Sequence, residues 1–135
     1  MAKGILGGIV GLAVWVIVVT VGGLILRGAW PAYSRVAEAM TFTLPMMVAR
    51  LAISVLATVA MGLVTSAVAR QSSTLARVMP GVLLLVAFIP VHIALWEKFP
   101  VWYHVTFLTS LVPLTYAGGK IAARGARGAL TASVS

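Results

Sequence analysis

Four long apolar runs, separated by short polar segments, make up most of this chain. A helix needs roughly 20 apolar residues to cross a hydrocarbon core of about 30 Å. We predict helical spans at 4–26, 45–69, 80–96 and 101–117. The pattern therefore predicts an all-α fold, an integral membrane four-helix bundle with short connections. We expect a single membrane domain over residues 1–135, with a basic tail at 118–135.

Proline and glycine mark the expected ends and irregularities of these helices. Pro45 fits the first turn of the second span, where its missing N–H has no intrahelical partner. Pro90 and Pro113 are expected to kink the third and fourth spans, because each proline removes a backbone donor. The glycine pair at 118–119 is expected to end the fourth span, and residues 27–43 are expected to form the only substantial loop.

The composition excludes several classes of protein. The chain is 61% hydrophobic and 9% charged, whereas soluble domains carry roughly 25% charged residues. It contains no cysteine, which excludes disulfides and thiolate metal sites. Ten basic residues against two acids give a net charge of +8. The basic residues lie at the ends of the apolar runs, so we expect the lipid bilayer, and not nucleic acid, as their partner.

The distribution of the basic residues predicts an orientation. With the N-terminus inside, six lysines and arginines fall on the cytoplasmic side: Lys3, Arg70, Arg77, Lys120, Arg124 and Arg127. Four fall on the other side: Arg27, Arg35, Arg50 and Lys98. Because cytoplasmic loops are enriched in basic residues, we expect a multi-pass protein of the cell (inner) membrane with both termini in the cytoplasm.

Small residues on the first span are spaced for close helix packing. Gly4 and Gly8, together with Gly7 and Gly11, form overlapping pairs four residues apart. Such pairs let two helix backbones approach each other in lipid. They fit packing within one molecule or contact with a second copy.

A second stripe of small and hydroxyl residues repeats at every fourth position of the second span: Ser54, Thr58, Gly62 and Ser66. Residues four apart form one ridge on a helix. We expect this ridge to be a packing surface, since it carries no acid. The alternative is the wall of a polar pathway for an ion or small solute.

Arg50 continues this ridge toward the outer side of the membrane. A guanidinium inside a membrane is costly, so it usually reaches the surface or finds a partner. Glu38 and Glu97 are the only acids in the chain, and we expect Arg50 to pair with one of them or to extend to the surface. Binding of an anionic ligand or lipid headgroup is the alternative.

Two histidines flank the last outer turn, each six residues from Lys98. An antiparallel helical hairpin would bring His92 and His104 to a similar depth. We expect interfacial or structural roles for both, because Trp96 and Trp102 lie beside them. A proton or quinone site, or a metal or haem, is the alternative. Arg50, Glu38, Glu97, His92 and His104 form the predicted outer-face polar cluster, and we expect no metal and no cofactor.

No catalytic motif occurs in the chain, and two acids and two histidines are few groups for catalysis. We therefore expect a non-catalytic accessory or assembly subunit that docks on other membrane protein subunits or on itself. A small oligomeric transporter or channel is the first alternative. A metal-, haem- or quinone-associated membrane subunit is the second.

The predicted orientation can be tested with single cysteines introduced at Ala32 and Ser73. An impermeant thiol reagent added to intact cells should label position 32 and leave position 73 unlabelled, because the two positions are expected on opposite sides of the membrane. Labelling of position 73 without position 32 would reverse the assigned orientation.

Overall fold

The computed structural model describes residues 2–70 and 73–134, and within these ranges it contains helices and no strand. The described residues form five helices: α1 (Ala2–Ala29), α2 (Pro31–Val36), α3 (Leu44–Ala69), α4 (Thr74–Ala94) and α5 (Val101–Val134). The expected all-helical architecture is confirmed. Three of the helices, α1, α3 and α4, are long and apolar enough to cross a membrane.

The first half of α5 corresponds to the fourth expected span, but α5 does not reach the hydropathy of the other three. Aromatic, hydroxyl and histidine side chains interrupt its apolar residues between Val101 and Ala117. Many of these side chains face the other helices, including Tyr103, His104 and Thr115, which are buried. Part of the polarity of α5 is therefore directed into the protein.

α3 lies at the centre of the packed helices and contacts α1, α4 and α5. The main apolar core forms where these helices meet, around Trp15, Ala57, Met61, Leu84, Phe107 and Leu111. Ala57, Met61 and Leu111 are fully buried. A smaller cluster of Tyr33, Ala37 and Met46 joins α2 to the start of α3.

About half of the segment expected to be a loop is helical. α1 continues to Ala29, and α2 begins at Pro31, the position of a helix at which proline is best tolerated. Tyr33 is 2% exposed and holds α2 against the other helices. Because this ring is buried, the stretch around it is not an open loop.

α4 begins earlier than expected. Its N-cap is Ser73, whose Oγ accepts a hydrogen bond from the backbone N–H of Ala76. Serine is a favoured N-cap because it satisfies an otherwise unpaired helix donor. Pro80 and Pro90 both lie inside α4, so the helix starts at Thr74, before the predicted span.

The glycine pair at 118–119 does not end α5, which continues through the basic tail to Val134. Both glycines are buried, and a Cβ on Gly118 would collide with the backbone carbonyl of Val59 in α3. These glycines permit a close approach of two helices and do not terminate one. The tail beyond them is rich in alanine, the best helix former, so the helix continues.

The small residues of α1 and α3 lie at similar close approaches. A Cβ on Gly62 would collide with the carbonyl of Thr115 in α5, and one on Gly7 would come within 2.7 Å of the Thr65 carbonyl in α3. Gly11 faces Met61 and Thr65. Gly4 and Gly8 instead border an apolar groove between α1 and α4.

The close approach of α3 and α5 can be tested with two alanine substitutions in α5. Gly118→Ala should lower the free energy of unfolding by about 1–3 kcal/mol, because the new methyl group overpacks the contact with Val59. Gly125→Ala is the matched control. A Cβ there meets nothing within 4 Å, and alanine favours a helix over glycine by about 1 kcal/mol.

Thermal unfolding of the detergent-solubilised variants, followed by circular dichroism, gives the comparison. Gly118→Ala should lower Tm and Gly125→Ala should hold or raise it. Equal Tm values for the two variants would contradict the close packing described here.

Candidate functional site

Arg50 is the centre of a polar site near the start of α3. Its Nη1 donates a hydrogen bond of 2.7 Å to the Tyr33 hydroxyl, and its Nε donates one of 3.4 Å to the Tyr103 hydroxyl. The guanidinium carbon lies 4.8 Å from the centre of the Phe42 ring, in a cation–π arrangement. Helix α3 thus carries a half-buried charge, and α2 and α5 each supply a hydroxyl group that accepts a hydrogen bond from it.

The expected ion pair of Arg50 is not formed within the described residues. Glu38 and Glu97 are both exposed, in the segments between α2 and α3 and between α4 and α5. The neighbours that act on the Arg50 charge are the hydroxyls of Tyr33 and Tyr103. Neither tyrosine belonged to the predicted outer-face polar cluster, so the sequence reasoning missed both partners.

A cavity of about 190 Å³ lies beside Arg50. Its polar lining consists of Arg50, Tyr33, Tyr103 and Ser54. Its remaining lining is apolar or aromatic: Trp15, Val19, Gly23, Leu26, Ile53, Phe88 and Phe107. The cavity therefore presents one cation at the edge of a largely apolar space.

His92 and His104 are in direct contact. Their Nδ1 atoms are 2.6 Å apart, a hydrogen-bond distance, and the two residues are 8% and 1% exposed. His104 Nε2 lies 3.2 Å from the Phe99 carbonyl oxygen and 3.4 Å from that of Trp96. His104 thus links His92 to the turn between α4 and α5.

These contacts assign the hydrogens of the neutral pair. A carbonyl oxygen only accepts, so His104 Nε2 carries the hydrogen that faces the Phe99 and Trp96 carbonyls. A neutral imidazole has one N–H, which leaves His104 Nδ1 as the acceptor of the Nδ1–H of His92. The Nε2 of His92 then remains an acceptor.

The histidine pair does not have the geometry of a metal site. Nitrogen ligands on a tetrahedral metal, with bonds of about 2.0–2.1 Å, lie about 3.3 Å apart. The two Nδ1 atoms are closer than that. Within residues 2–70 and 73–134, no group of three or more histidine and acidic side chains could hold a metal ion.

The histidine pair and the Arg50 site share Tyr103. The Tyr103 ring stacks with His92 at 6.4 Å between ring centres, and its hydroxyl accepts from Arg50. The structure therefore brings three members of the predicted cluster, Arg50, His92 and His104, into one aromatic environment. Glu38 and Glu97 remain at the exposed edge.

The ridge of α3, from Ser54 to Ser66, runs from the Arg50 cavity toward the other end of the helix. Thr58 is fully buried; its hydroxyl donates to the Ser54 carbonyl at 2.7 Å and accepts from Trp15 Nε1 at 3.1 Å. One turn further, Gly62 packs against Thr115. The middle of the ridge is thus filled by helix contacts, whereas Ser54 and Ser66 lie beside cavities at its two ends.

Over the part of the chain that the structure describes, the protein is all-helical, with three apolar helices of membrane-crossing length and a cationic, aromatic cavity near one end of α3. Comparison of the chain with family models, curated proteins and solved structures finds no match. The site is therefore interpreted from its own geometry.

The hydrogen positions of the histidine pair can be tested by ¹⁵N NMR of histidine-labelled protein at about pH 8, above the ordinary pKa of histidine. His92 should show the Nδ1–H tautomer and His104 the Nε2–H tautomer. The variant His92→Gln removes one set of signals and so assigns the other. Nε2–H tautomers for both rings would contradict the described hydrogen bond.

Proposed function

We propose that this protein is a non-catalytic membrane subunit that holds the anionic group of a membrane-embedded amphiphile in the cavity beside Arg50. One observation carries the proposal. The Arg50 guanidinium is half-buried, borders the cavity and has no carboxylate partner within the described residues.

The hydrogen bonds of Arg50 leave capacity for a ligand. A guanidinium has five N–H donors, and the two hydroxyl groups of Tyr33 and Tyr103 engage its Nη1 and Nε. Hydroxyl groups and an aromatic face stabilise the cation without neutralising it. An anion in the cavity would supply the missing negative charge through charge-assisted hydrogen bonds, which are stronger than neutral ones.

The rest of the cavity favours an amphiphile over a small hydrophilic solute. Trp15, Phe88 and Phe107 form aromatic walls beside Arg50. The volume of about 190 Å³ is smaller than the roughly 300–1,000 Å³ typical of sites that enclose a whole ligand. A head group and the first part of an apolar chain would fit, and the remaining chain would extend along the exposed apolar helices.

The proposed membrane setting is a protein of the cell (inner) membrane with both termini in the cytoplasm and the first half of α5 as the fourth crossing. The apolar faces of α1 and α4 support it, since both expose many large aliphatic side chains. In this setting Arg50 lies near the outer surface. An accessory role, with docking on other membrane subunits or a second copy, is compatible with these faces.

The packed middle of the α3 ridge supports binding over transport. Passage of a solute would require separation of Thr58 from Trp15 and of Gly62 from Thr115. The close contact of the histidine pair likewise gives no support to a metal or haem role.

Quenching of Trp15 fluorescence by a dibrominated fatty acid tests the proposal, since Trp15 lines the cavity. Protein in neutral detergent should bind the acid more tightly than its methyl ester. Arg50→Gln should weaken binding of the acid by about tenfold or more, because a hydrogen bond to a charged group contributes about 1.5–3 kcal/mol. Arg50→Lys, which keeps the charge, should retain part of the affinity.

Arg35→Gln is the matched control, because Arg35 is an exposed arginine in α2. It should leave the affinity unchanged. The variant Trp15→Phe should abolish the quenching signal that is assigned to the cavity. Equal affinity for the acid and the ester, or equal affinity of the wild type and Arg50→Gln, would refute the proposal.

A further inference from the structure

A second cationic cavity lies at the opposite end of α3 from Arg50. It is a groove of about 690 Å³ between the end of α3, the start of α4 and the second half of α5. Arg70, Arg77 and Arg127 all line it. One arginine comes from each of the segments that enclose the groove, so three arginines border one space.

Two polar groups in this groove have no hydrogen-bond partner among the described residues. Ser66 is only 8% exposed, and its Oγ is buried and unpaired. The Nε of Arg77 is also buried and unpaired. Leaving a buried donor unsatisfied costs about 1–3 kcal/mol, and more for a charged group, so a ligand that accepts from both would be stabilised.

Among the described residues, no acidic side chain lines the groove. The only two acids of the chain, Glu38 and Glu97, lie in the connections near the Arg50 end. Arginines at a helix end often extend to the membrane surface. That behaviour accounts for the exposed Arg70 and Arg127. It does not account for Arg77, whose Nε is buried and whose Cγ packs against Gly119.

We propose that this groove binds a phosphate group. Guanidinium groups match phosphate oxygens through paired hydrogen bonds, and the Ser66 hydroxyl can donate one more. The small side chains of Ala122, Ala123 and Ala126 line the groove on α5 and leave room for the ligand. The phosphate belongs either to an anionic phospholipid or to a free phosphate ion. This inference uses none of the residues of the Arg50 cavity and does not depend on the function proposed for it.

Native mass spectrometry of the full chain in neutral detergent tests the proposal, with phosphatidylglycerol and phosphatidylcholine as probes. Phosphatidylglycerol should bind at least tenfold more tightly than phosphatidylcholine. Arg77→Gln should weaken its binding by about tenfold. The control Arg124→Gln should change it less than twofold, since Arg124 is exposed on the same helix but outside the groove.

A substitution at Ala126, on the α5 side of the groove, distinguishes a loss of binding from a loss of folding. Ala126 is exposed, so both Ala126→Glu and Ala126→Gln should fold. The glutamate supplies a negative charge inside the groove and should reduce phosphatidylglycerol binding about tenfold relative to the glutamine of equal size.

Inorganic phosphate identifies the source of the group. If millimolar phosphate displaces phosphatidylglycerol and raises Tm more than chloride of equal ionic strength, the groove binds free phosphate. If the lipid stays bound, the groove recognises the lipid headgroup. Equal losses for Arg77→Gln and Arg124→Gln, or for the two Ala126 variants, would overturn the proposal.

Discussion

The close approach of α3 and α5 is the constraint on which the rest of the structure depends. Gly62 admits the carbonyl of Thr115, and Gly118 admits the carbonyl of Val59. The two helix backbones therefore touch at places where any side chain would separate them. This contact fixes the register of α5 against α3, and with it the positions of the polar groups at both ends. Tyr103 meets Arg50 at one end, and Gly119 makes room for Ser66 and Arg77 at the other.

The shortage of acids gives both cationic sites their character. Ten basic residues share the chain with two acids, and within the described residues neither acid is a partner of Arg50. The protein stabilises Arg50 instead with two hydroxyl groups and an aromatic ring. Such groups hold a cation in place without removing its charge. A chain of this composition must therefore obtain part of its electrostatic balance from lipids, ions or partners.

The sequence was sufficient for the features that depend on local pattern. The apolar runs gave the helices, because hydrophobic length is a property of consecutive residues. Prediction from the sequence was wrong where one residue type fits two structural roles. Gly118 and Gly119 resembled a helix end, yet they serve a contact with α3 that no local pattern reveals. No local pattern marked Tyr33 and Tyr103 as partners of Arg50, because their hydroxyls meet Arg50 only after three helices have packed.

For His92 and His104 the sequence predicted the depth of the two side chains but not their contact. Their equal spacing from Lys98 placed them at one depth, and packing of α4 on α5 then turned the rings toward each other. That packing is close because Gly81 lets α4 approach the Leu111 carbonyl. Ser54 and Ser66, which border the two cavities, are about 18 Å apart along α3 at 1.5 Å per residue. Thr58 and Gly62 lie between them and pack against α1 and α5. The two cationic cavities are thus separated by packed protein, and a ligand could enter each of them only from its own end of α3.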